Sequence, residues 1–90
     1  MKMKVRNMDG NTGPVANQFI IDGDDGSETF QSYSSVVAVR ARGGSITLDE
    51  STWDYSMTTG RYRNQFLGEK KAETEKKIKS GEYKLANLSG

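Results

Sequence analysis

VVAVRARGGSITLDE, residues 36–50, is the stretch that decides the fold. VVAVRAR (36–42) is continuous and rich in β-branched residues, which favour an extended, pleated backbone. Gly43-Gly44 interrupts it, and SITLDE (45–50) resumes with Ile46 and Leu48 on one side. That pattern describes an antiparallel hairpin. It also sends Arg40 and Arg42 to the same face of the first strand, because strand side chains alternate.

The reading extends in both directions. Upstream, VANQFIID (15–22) is an expected strand with Phe19 and Ile21 on one face and Ile20 opposite. GDDGS (23–27) carries an Asp25-Gly26 turn, ETFQSY (28–33) is the return strand with Phe30 inward, and Ser34-Ser35 bends the chain. KMKVR (2–6) alternates basic and apolar residues, as a strand at a sheet edge often does. MDGNTGP (8–14) is turn chemistry, so residues 1–14 are expected to form either an edge strand or a loosely held segment. Downstream, Thr58 or Thr59 is the expected cap of a short helix carrying Tyr62 and Phe66 and ended by Gly68. EKKAETEKKIKSG (69–81) predicts a longer helix over about 69–80, with a poor apolar face of Leu67, Thr74 and Ile78. EYKLANL (82–88) is the expected last strand, burying Tyr83, Leu85 and Leu88. The expected class is α+β: one domain over 1–90, a small antiparallel meander of about four to six strands, one short helix and one longer.

Composition sharpens this. Hydrophobic residues make up 33% and charged residues 28%, with a net charge of +1. The core must be thin, yet near-neutrality and the presence of aromatics argue against disorder. A chain of this kind is a candidate for completion by a partner or by a second copy, for example a homodimer formed through a sheet edge. With no cysteine and no histidine, disulfides, thiolate nucleophiles and imidazole bases are excluded. No cofactor is expected. No apolar run approaches the ~18 residues of a membrane span and no signal peptide opens the chain, so the cytoplasm is the expected location and no membrane partner is expected.

WDYSMTTGRYRN (53–64) concentrates the residue types that make contacts. Trp53, Asp54, Tyr55, Arg61, Tyr62, Arg63 and Asn64 are the candidate partner-binding residues. Within that set, Trp53, Tyr55 and Tyr62 are expected to join sheet to helices, leaving Arg61, Arg63 and Asn64 to reach outward. A second reading assembles Arg40, Arg42, Arg61, Arg63, Lys70 and Lys71 into a basic patch with adjacent aromatics, suited to nucleic acid. The plainer alternative pairs Arg61 and Arg63 with Asp49, Glu50 or Asp54 at the surface. A third reading would use Asp49, Glu50 and Asp54 as catalytic carboxylates, or Asp22, Asp24, Asp25 and Glu28 as a cation site. A solvated hairpin tip explains the latter group more simply.

ANQF (16–19), FQSY (30–33), LDE (48–50), WDYS (53–56), YRNQFLGE (62–69) and ETEKKIKSGEYKLANL (73–88) together resemble a family of small proteins of unknown function found in phages, prophages and gut metagenomes. The resemblance spans residues 15 to 88 and brings no established site residues with it. It implies a setting: a small phage or mobile-element protein, non-enzymatic, acting by stoichiometric binding to a bacterial host protein. A host-defence component such as a CRISPR effector is one such target.

Overall fold

Residues 3–10 and 13–88 are described by the computed structural model. Five strands follow one another across the sheet: β1 (Lys4–Gly10), β2 (Gly13–Asp22), β3 (Glu28–Ser32), β4 (Ser35–Arg40) and β5 (Ile46–Asp49). Each pairs antiparallel with the next. Two helices come next, α1 (Met57–Leu67) and α2 (Lys71–Ser80), and then β6 (Lys84–Ala86) completes the sheet in the order β1-β2-β3-β4-β5-β6. The α+β class holds. The sheet is mixed rather than wholly antiparallel, because β6 runs parallel to β5. Neighbouring parallel strands need a crossover connection, usually helical, and α1 and α2 supply it.

The N-terminal segment is an edge strand that stays paired through Gly10, four residues beyond its expected end at Arg6. Lys2, with which that strand was expected to begin, and Asn11 and Thr12 of the expected turn lie outside the described residues.

Register assigns the faces. Ile20, Phe30, Ala38 and Leu48 align across β2 to β5 and form the buried row, joined by Met8, Val37 and Ile46. Val37 and Ala38 are both fully buried because a bulge skips Val37 in the β3–β4 pairing, which turns two consecutive side chains inward. Phe66 of α1 stacks on Phe30 with ring centroids 5.8 Å apart, and Tyr83 closes the cluster. Trp53, Tyr62, Leu67 and Ile78 pack against it. The other face carries Val5, Ile21, Thr29, Val39 and Thr47 in one row, and Asn7, Phe19, Gln31 and Val36 in the next. Both helices sit on the first face. Among the described residues, no element covers the second.

Three helix and strand ends differ from expectation. The cap of α1 is Ser56, whose hydroxyl accepts from Thr59 N at 3.1 Å, so the helix starts before Thr58 and Thr59. Thr59 is buried instead, its hydroxyl 2.9 Å from that of Ser32. The second helix begins at Lys71, so α1 has eleven residues and α2 ten, near-equal lengths where a short and a longer helix were expected. Glu69 precedes α2 and turns inward. Tyr83 is buried just ahead of β6, but Leu85 within it is 44% exposed, because β6 is a three-residue edge with no neighbouring strand beyond it among the described residues.

Tyr33, in the β3–β4 turn, has φ of 56°. An aromatic side chain in the left-handed region costs roughly 1–2 kcal/mol, which glycine avoids. Since Tyr33 is exposed, Tyr33→Gly is expected to raise the melting temperature by about 4–8 °C, measured by thermal denaturation.

Candidate functional site

The loop from Asp54 to Ser56, the first turns of α1 and the start of α2 enclose an open groove of about 580 Å³. Its construction begins with Ser56, which caps α1 and directs Met57 outward as the first helical residue. Met57 is 93% exposed and Tyr55 is 49% exposed. Arg61 lies one turn further along, also exposed, its guanidinium 5.8 Å from the Tyr62 ring centre.

Beneath this rim is a buried arginine. Arg63 is 1% exposed. Its Nη1 donates to the Trp53 carbonyl at 2.6 Å and to Asp54 Oδ1 at 3.3 Å, and its Nη2 donates to Asn64 Oδ1 at 2.9 Å. The guanidinium also stands 5.4 Å from the Trp53 ring centre. Its Nε is buried without a hydrogen-bond partner among the described residues. Gly60, one turn earlier, lies beside the guanidinium, close enough that a Cβ there would touch it at 3.6 Å, an ordinary contact. Asp54 bridges onward to Lys71 Nζ at 2.7 Å, linking the loop, α1 and α2. That Lys71 contact, then Arg63, holds the Asp54 carboxyl below its ordinary range.

The expected division of labour is therefore revised at two positions. Arg63 was expected to reach a partner and is the internal anchor. Tyr55 was expected to join sheet to helices and faces solvent instead. Trp53 and Tyr62 do pack on the core, while Arg61 is exposed and Asn64 is half-buried. Met57 was missed. The signal was available: Ser56 is a strong capping residue, and a cap there makes Met57 a first-turn residue with nothing to pack on.

The six cations of the nucleic-acid reading do not form one patch. Arg40 pairs with Glu28 at 2.8 Å, donates to the Phe66 carbonyl at 2.7 Å and stacks over the Phe66 ring. Arg42 lies in the β4–β5 turn against Gly26, at the sheet end opposite the one where Ser32 meets Thr59. Arg63 is internal and Lys71 is paired with Asp54. Arg61 and Lys70 are exposed.

Two carboxylates outside the groove hold the fold together. Asp49 is buried and accepts from Ser51 N, Thr52 N, Thr52 Oγ1 and Leu88 N, at 2.8–3.0 Å. Burial pushes its pKa up, but these bonds more than offset that and leave it lowered. A carboxylate so fully engaged is unlike the free acid–base pair of the third reading. Glu69 has a side chain only 4% exposed and accepts from Thr74 Oγ1 at 2.7 Å, Lys77 Nζ at 2.8 Å and Tyr83 OH at 2.8 Å. Burial again raises its pKa, and the three donors bring it below the usual value. In the 22–28 turn, the acidic side chains are shared out: Asp22 and Glu28 bind Arg6, and Asp25 accepts from Ser27 N and Oγ.

Among the described residues, no helix is long and apolar enough to cross a membrane. The model of a family of unknown function (DUF8033) matches residues 2–82. No curated protein and no solved structure matches the chain.

Proposed function

Taking as premise that the chain belongs to this family of unknown function (DUF8033), we propose that it is a non-enzymatic protein that acts by stoichiometric binding of another protein through the rim of the 53–64 groove. One observation carries the reading. Tyr55, Met57 and Arg61 stand exposed on the groove rim above the buried Arg63, and Tyr, Met and Arg are among the residue types enriched in protein interfaces. The buried Arg63 knot holds the loop in place, so little ordering cost falls on the bound state. The resemblance to phage and prophage proteins supplies the setting: the partner is a bacterial host protein, a defence component such as a CRISPR effector being the sharpest version.

The test is capture from bacterial lysate with the wild type and with the double variant Tyr55→Ala/Met57→Ala. Both side chains are exposed, so the variant is expected to keep the native circular dichroism spectrum and melting temperature. Affinity for the captured protein is expected to fall at least tenfold, about 1.4 kcal/mol. Equal capture by the variant overturns the assignment of the surface. Binding of labelled DNA or RNA that weakens steeply with salt would instead favour the nucleic-acid reading.

A further inference from the structure

We propose that the uncovered face of the sheet is where two copies of this chain pack together, sheet against sheet. Val5, Phe19, Ile21, Val36 and Val39 all lie on it, outside the core cluster. An antiparallel sheet with one solvated face ordinarily alternates apolar inward and polar outward. Here the two rows from Val5 to Thr47 and from Asn7 to Val36 are apolar or uncharged throughout, with Asp9 and Asp49 beyond their ends, in a chain with only 33% hydrophobic residues.

Charge argues for a second copy over a different protein. Along these rows the first ionisable side chain is Lys84, on edge strand β6 beside Thr47. A face with no charge at its centre meets no repulsion from its own image and gives an acidic or basic partner nothing to recognise. The area is also sufficient. Six strands at about 4.8 Å spacing, each offering about five residues at about 3.3 Å rise, make a footprint of roughly 500 Å². Two copies together bury roughly 1,000 Å², the lower limit for a specific interface, so the dimer is a weak one. The groove lies on the helix side of the sheet, so pairing leaves it open.

Sedimentation equilibrium across a concentration series up to about 0.5 mM, the regime for so small an interface, tests this. The wild type is expected to move from monomer to dimer. Val39→Glu and, separately, Thr29→Glu place a charge that faces its own copy, and each is expected to weaken dimerisation at least tenfold. Thr29 is already polar and outside the core, so that variant keeps its fold by circular dichroism even if Val39→Glu does not. A wild type that stays monomeric throughout, or a dimer indifferent to Thr29→Glu in a folded chain, overturns the proposal. The first result would assign the face to a different protein and the second would place the contact elsewhere.

Discussion

Arg63→Ala is expected to destabilise the protein by about 3 kcal/mol, lowering the melting temperature by roughly 12–24 °C. The side chain is buried, and its removal leaves the Trp53 carbonyl and Asn64 Oδ1 without their donors. It also empties the space that the guanidinium fills beside Gly60. The cost falls at the lower end of the range for a broken buried pair, because Asp54 keeps its contact with Lys71. Arg63→Lys retains the charge but not the planar fork that reaches several acceptors, so it recovers only part of the loss. Asp54→Asn is the contrasting case. Its side chain is 33% exposed, and the expected cost is below ~1 kcal/mol. Urea denaturation of the three variants checks the order. If Arg63→Ala were no worse than Asp54→Asn, the anchoring role would be wrong.

Glu69→Gln is expected to cost about 2 kcal/mol at neutral pH. The amide can still accept, but it replaces a charged acceptor of three donors, and its own N–H groups are set against Lys77 and Tyr83. The same site predicts a pH effect. The folded pKa of Glu69 lies below its ordinary 4.5, and those of Asp49 and Asp54 lie below their ordinary 3.8. A depressed carboxylate contributes stability that is fully present above its unfolded pKa and lost as pH falls through the folded one. Wild-type stability is therefore expected to hold down to about pH 5 and to decline below it. In Glu69→Gln the decline is shallower, since one of the depressed carboxylates is gone. Equal acid slopes for wild type and variant, measured by urea denaturation at stepped pH, would falsify this assignment.

How much of this was legible in the residues depends on range. Local signals worked: alternation placed β2 to β5, and Gly68 and Gly81 ended the helices, each with a left-handed backbone and an N–H bonded back into the last turn. Ile20 opposite Phe19 and Ile21 was visible too, but alternation cannot say which face the helices will choose. Long-range partnerships were hidden. Nothing near Glu69 in sequence announces Tyr83, and as a member of a helical i,i+4 pair with Glu73 it reads as a repulsive residue. Arg63 reads as a surface charge because arginine is seldom fully buried. Its burial goes with a carbonyl ten residues earlier, which has no meaning until the loop folds over the helix. The β6 direction followed from whether the two helices together crossed the sheet, which propensity does not encode.

The parallel β6 also sets an order of events. Thr47 meets Lys84 only by closing a loop that holds both helices, whereas each of the first four strand pairings closes over a short turn. Closing the longer loop costs more chain entropy, so the meander can assemble early and the last strand late. During synthesis, β5 is therefore an unpaired edge until residue 84 has left the ribosome, and in that interval its exposed backbone is open to pairing with other chains.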